Sequence, residues 1–234
     1  MYSNKNKVIL FAKVFFAGLI TLIIYSGNSV LSPIAIVQKT VGEVGFKKVD
    51  AEWQLAKKGI TLEDEDALRT ASRSLAVVSF IDGSILRVRE NSELIVYGVQ
   101  NGNLLNKNVE IRKGKFGFEV KPQKNEEFRF ITPSVVASIK GTEGYLEVSE
   151  DSSTVIFLSS GSIQLESSLG GKMRGLLSAG NSATISPDGE ITIREATDTE
   201  VKSFKRINNT QTKVIKIKTS GGTVEIEYLD ESGE

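Results

Sequence analysis

Lys140-Gly141-Thr142-Glu143-Gly144 places a lysine, a hydroxyl and a carboxylate within five consecutive residues. Three chemistries use such groups. A phosphate loop needs G-x-x-x-x-G-K-[ST] between a buried strand and a helix, so that backbone N–H groups and the helix dipole meet the phosphates. Here Lys140 precedes its glycine and the strand-like "YLEVS" follows, so order and context both fail. Acid–base hydrolysis of a glycan by Glu143 needs a second carboxylate at a set separation, and no neighbouring residue supplies one. The third reading is structural: two glycines make a sharp corner between strands. Other candidates are weaker. Glu63-Asp64-Glu65-Asp66 is rich in oxygen ligands but lacks the graded spacing and central glycine of a calcium loop, so a solvated turn is expected. No S-x-x-K motif with its supporting motifs marks a Ser-Lys dyad. Trp53, Tyr97 and Tyr145 are the aromatic residues that could stack on a sugar, although a lone tryptophan in a β-domain is more often core.

Composition narrows the chemistry further. The 234 residues contain no cysteine and no histidine. Thiol nucleophiles, disulfides, thiolate metal sites and the usual general base are therefore absent. No catalytic residue, metal ligand or cofactor is expected. The 29 basic residues match the 29 acidic ones, so no overall field favours nucleic acid.

The N-terminus predicts export. Lys5 and Lys7 precede an apolar run from Val8 to Tyr25 that only Lys13 interrupts. Residues 1–29 read as a signal peptide cut after Ser29, or as an uncleaved membrane anchor with Lys13 snorkelling. Either way the remainder is expected outside the cytoplasm, in the periplasm or at the cell surface.

The rest must position whatever site exists, and its periodicity is two. In "LAVVSFIDGSILRVR", Asp82-Gly83 separates two strand-like runs and predicts a two-residue hairpin with Phe80 facing Ile85. Apolar residues on both faces of the first run predict a central strand covered on both sides. "VEIRKGKFGFEVK" reads as two alternating runs about Gly114, and Pro133 breaks the next pair. Turn signals then recur every 8–12 residues or so, as in a sandwich, barrel or β-solenoid. Thr197 and Glu200 form a capping box that opens a short helix with Val201, Phe204 and Ile207 on one face. A terminal hairpin turning at Gly221-Gly222 would pair Lys218 with Glu225 and Lys216 with Glu227.

Three segments in this order resemble the FecR-domain family. Thr70, Ser74, Ala76, Phe80, Asp82, Gly83 and Ser84 fit its T-x-x-x-S-x-A-x-x-x-F-x-D-G-S outline. Gly114, Phe118 and Val120 fit its G-x-x-x-F-x-V strand, and Thr132, Pro133, Lys140, Gly141, Thr142 and Glu143 fit its TP…(R/K)GT segment. Glu65 stands where the family often has glycine. The resemblance implies an all-β, FecR-type sandwich or short β-solenoid that is extracytoplasmic and not an enzyme. In the best-known members this domain is the outer part of a regulator that relays a transporter's signal to a sigma factor. Only seven residues precede the apolar run, so no cytoplasmic sigma-binding part is expected here.

The expected organisation is therefore residues 1–29 as signal or anchor, 30–195 as the FecR-like domain, and 196–234 as a helix and hairpin extension. The expected role is a binding, sensor or scaffold module of the bacterial envelope that contacts an envelope protein or glycan. A structural or adhesive surface protein is the alternative, and a carboxylate-based glycan hydrolase a weaker one. If the KGTEG corner takes part in binding, Lys140 and Glu143 are the side chains to test.

Overall fold

Alternating sequences become strands that expose one face, and two such sheets bury their apolar faces against each other. The computed structural model describes residues 33–102, 104–169 and 173–230, all within one compact unit, Ser32–Glu234. The expected signal or anchor lies outside the described residues. Sheet A orders its strands as β4 (Thr61–Leu62), β1 (Ala35–Val41), β6 (Leu75–Phe80), β7 (Ile85–Val88), β9 (Leu104–Val120), β12 (Thr142–Val148), β13 (Thr154–Ser160), β16 (Asn181–Ile185) and β17 (Ile191–Glu195). Sheet B runs β3 (Gln54–Leu55), β2 (Val44–Lys47), β5 (Ala67–Thr70), β8 (Glu93–Asn101), β9 again, β10 (Phe128–Ile131), β11 (Val135–Ile139), β14 (Ser162–Ser167) and β15 (Arg174–Ser178). From β6 onward the chain visits the two sheets in turn, mostly as hairpins. The result is a sandwich with solenoid-like winding, and the all-β expectation holds.

β9 joins the two layers. Its first half pairs with β8 and, in parallel, with β10, and its second half pairs with β7 and β12. The two runs read about Gly114 are thus one strand bent at that residue. Gly114 has φ +107°, and a Cβ there would lie 2.5 Å from the Ser92 Cα. Only glycine fits both constraints.

The core lies between the layers. Phe116, Phe118, Leu146 and Ile156 from sheet A meet Val96, Val109, Ile111, Phe128 and Phe130 from sheet B, all at most 1% exposed. Phe80 meets Phe128 edge-on with centroids 4.9 Å apart, and Phe118 lies 5.1 Å from Phe130. Burial of each ring contributes roughly 2–3 kcal/mol. β6 is covered on both faces as expected, since Ala76 and Val78 enter the main core while Leu75 and Val77 join Val41, Ile85 and Leu229 outside it.

Two registers differ from expectation. The β6–β7 loop has three residues, Ile81-Asp82-Gly83, and pairs Ser79 with Ile85. Of these only Gly83 has positive φ (+80°), and Asp82 Oδ1 accepts from Ser84 N at 2.9 Å. A two-residue type I′ loop needs positive φ at both central residues. The terminal hairpin, β18 (Thr212–Thr219) and β19 (Gly222–Leu229), turns at Ser220-Gly221 and sets Lys216 against Glu225, an ion pair at 2.7 Å, with Lys218 opposite Thr223. The shift is two residues, so the faces are unchanged.

Helix α1 (Asp198–Asn208) has the expected capping box: Thr197 Oγ1 accepts from Glu200 N, and Glu200 accepts from Thr197 N. It lies on the outer face of sheet A. Ile207 and Phe204 pack on Tyr145 and Phe157, while Val201, expected on that stripe, is 38% exposed.

Candidate functional site

The motif residues build corners. Ser74 and Ser92 are buried where the chain leaves one sheet for the other, and Ser84 is buried at the β6–β7 turn within sheet A. Their hydroxyls accept from the backbone N–H of Glu43 (2.9 Å), Lys121 (3.0 Å) and Lys115 (3.1 Å). Thr70 Oγ1 accepts from Ser92 N and donates to Arg89 O. Such hydroxyls satisfy backbone donors where the ladder is interrupted, which would otherwise cost about 1–3 kcal/mol each. Thr132 Oγ1 accepts from Val135 N at 3.0 Å and shares a buried hydroxyl cluster with Ser134 and Thr154, while Pro133 is exposed at the turn.

Lys140-Gly141 links β11 in sheet B to β12 in sheet A. Gly141 has φ +96° and lies against Pro122, while Thr142 is buried. Of the two glycines expected to make the corner, Gly141 does so, whereas Gly144 lies inside β12, where a Cβ would meet the Phe157 carbonyl oxygen at 2.1 Å. Lys140 and Glu143 do not converge: Lys140 lines a groove on sheet B, whereas Glu143 sits in sheet A opposite Glu119. Hydrogen bonding from Lys121 at 2.5 Å holds the Glu119 pKa below its ordinary value, the direction opposite to that of a general acid.

Asp82 is the motif residue with the richest environment. Its Oδ2 accepts from Gln123 Nε2 at 2.8 Å and lies 3.1 Å from Lys107 Nζ, which is itself 2.5 Å from Glu126. Burial alone would raise the Asp82 pKa, but the Ser84 N–H, Gln123 and Lys107 together hold it below the ordinary carboxylate value. The acidic run is also more ordered than a solvated turn. Asp66 is 1% exposed and accepts from Glu63 N and Lys48 Nζ, both at 2.7 Å. Its neighbour Glu65 has φ +65°. Among the described residues no acidic cluster is arranged to hold a metal ion.

The aromatic candidates separate. Tyr145 is buried beneath α1, which pushes its pKa up to about 12, so it is unavailable to a sugar. Trp53, expected in the core, is half-buried at the surface with the Arg69 guanidinium 4.1 Å above its ring. Tyr97 is half-buried and donates to Glu110 at 3.1 Å.

On the outer face of sheet B a groove of about 860 Å³ crosses β10, β11, β14 and β15. Cross-strand register places Asn108, Arg129, Ser138, Gln164 and Leu176 in one row. The next row holds Ile131, Val136, Glu166 and Arg174. Arg129 pairs with Glu127, its Nε is buried without a hydrogen-bond partner, and Leu176 is 62% exposed. Of the motif residues only Lys140 reaches this groove. The others in it come from alternate positions of ordinary strands and become neighbours through the β11–β14 pairing, which skips two strands of sequence.

Comparisons with known proteins agree with this architecture. Two crystal structures provisionally described as an anti-sigma factor from Parabacteroides distasonis, at 2.50 and 1.65 Å resolution, superpose with a TM-score of 0.51. Each is 14% identical, and the match covers 62% of this chain and 68% of that one. At that identity they show the shared fold. No curated protein matches the chain. The family model described as "FecR protein" matches residues 66–164, from the buried Asp66 through the inter-sheet corners at Ser74, Ser92 and Gly141 to Gln164 in the groove, so this stretch is a FecR domain.

Proposed function

We propose that this chain is a non-catalytic regulatory module of the bacterial envelope, whose FecR domain binds a protein partner across the outer face of sheet B. One observation carries the reading. The row Asn108–Arg129–Ser138–Gln164–Leu176 is exposed or half-exposed, supplies amide, hydroxyl and guanidinium groups, and is left uncovered by the helix that seals sheet A. Convergent polar groups beside an exposed leucine suit a protein segment with its own hydrogen-bonding backbone. No tyrosine or tryptophan lines the groove as a platform for a sugar ring. The structures similar to this fold are described as an anti-sigma factor, which favours a signalling role through protein contacts.

The reading is tested by purifying full-length wild type and an Arg129→Glu, Leu176→Asp double variant from detergent-solubilised envelopes. Both should fold with the same β-sheet signature, and the stoichiometric partner should be lost from the variant alone. Retention of that partner by the double variant would refute binding at this face.

A further inference from the structure

Lys107 occupies a position built for an apolar residue. Along the first half of β9 the inward side chains are Lys107, Val109 and Ile111, and each is completely buried. In register Lys107 lies beside Phe128, whose ring meets Phe80. Burying an ammonium in this setting costs several kcal/mol before its partners compensate, and an apolar side chain of similar volume is often at least as stabilising. Electrostatic stability alone therefore accounts poorly for a lysine here. Its surroundings do suit a reaction. Lys107 Nζ lies 3.1 Å from Asp82 Oδ2 and 2.5 Å from Glu126 Oε2. Asp82 Oδ1 accepts the Ser84 N–H, and its Oδ2 accepts from Gln123.

We infer that Lys107 and Asp82 condense to an intramolecular isopeptide bond, with Glu126 as the proton relay. The starting state is the ion pair of ammonium and carboxylate. Glu126 moves a proton from Nζ to Asp82 Oδ2, and the neutral amine attacks Cγ of the resulting carboxylic acid. In the tetrahedral intermediate the developing charge falls on Oδ1, where the Ser84 N–H already donates. Glu126 then carries the second proton shed by Nζ to the Oδ2 hydroxyl, which leaves as water. An ammonium and a carboxylate give a secondary amide and one water, with atoms and charge balanced and no oxidant or cofactor required. Placement does most of the catalysis, because the reacting groups are held together in a water-poor pocket. The Asp82 and Glu126 side chains remain 15% and 30% exposed, which gives the water a way out. The amide would fasten the β6–β7 turn of sheet A to β9 in sheet B, a covalent clamp in a chain without cysteine.

The experiment is peptide mapping of the full chain after prolonged incubation at neutral pH. Trypsin should fail to cleave after Lys107. The peptide spanning residues 74–87 should appear joined to the Lys107 peptide, lighter than the two together by one water. Glu126→Gln, at a partly exposed position, should keep the folded far-UV spectrum and lose the branched species. An unbranched Lys107 peptide as the sole product from folded wild type would overturn the proposal. A branched peptide in Glu126→Gln at the wild-type yield would overturn the relay assigned to Glu126.

Discussion

The two outer faces of the sandwich have opposite fates. On sheet A, Tyr145 and Phe157 project outward and are sealed by Ile207 and Phe204 of α1. On sheet B, the corresponding outward positions of β10, β11 and β14 hold Arg129, Ser138 and Gln164, which line an open groove. The apolar face requires a cover, which the chain supplies from its own C-terminal part. The polar face gains nothing from one. Side-chain chemistry on the outward period of each strand therefore separates the stabilising face from the one available to a partner.

The largest expected effect tests the covered face. Phe157, 3% exposed, has its ring centroid 5.7 Å from Tyr145 and 5.5 Å from Phe204. Phe157→Ala should lower unfolding free energy by about 3–4 kcal/mol in urea titrations. Gln164→Ala, the same kind of truncation on the other face, should fall within about 0.5 kcal/mol of wild type. Equal costs would erase the distinction.

A middle-sized effect concerns how the cover is held. Glu200 closes the capping box and pairs with Arg194 at 2.9 Å. That hydrogen-bonded pairing, with help from Thr197, lowers its pKa from 4.5 to about 2 despite partial burial. A carboxylate with a depressed folded-state pKa contributes stability that is complete above its unfolded value. The contribution is lost as pH falls from 4.5 toward about 2. Glu200→Gln should cost about 1 kcal/mol near neutrality. Its difference from wild type should vanish at the acid end of that window, as followed by thermal unfolding. A difference that persists there would mean that charge is not what Glu200 contributes.

A smaller effect lies just before the N-terminal end of the FecR match. Glu65 holds φ +65°, a left-handed conformation that costs a non-glycine residue about 1–2 kcal/mol. Glu65→Gly should therefore stabilise the protein by up to about 1 kcal/mol, less the extra entropy of the unfolded glycine, as read from the urea midpoint. Destabilisation would show that the Glu65 side chain, rather than its backbone, matters at this turn.

Legibility followed the same division. Corners were readable because they depend on local residue type: Gly141 and Gly83 need positive φ, and Thr197 with Glu200 caps a helix. Core strands were readable because burial imposes period two. Register was less so. The Asp82-Gly83 loop gained a residue because Asp82 keeps a negative φ while bonding Ser84 and Lys107, which no dipeptide rule reports. The binding face was hidden for a further reason. Arg129, Ser138 and Gln164 each resemble any solvent-facing strand residue, and only the non-local β11–β14 pairing assembles them into a row. Lys107 was hidden too, since a lysine in a strand is ordinarily assigned to solvent.

The absence of cysteine permits a direct test of the central claim that sheet B's outer face is occupied by a partner in the envelope. Leu176→Cys, at a site 62% exposed, and Lys202→Cys, on the exposed side of α1, provide single reporters against a blank background. Both should react with a water-soluble maleimide in the purified protein. In intact envelopes, Leu176→Cys should be protected while Lys202→Cys still reacts. Equal labelling of the two positions in the envelope would contradict the account.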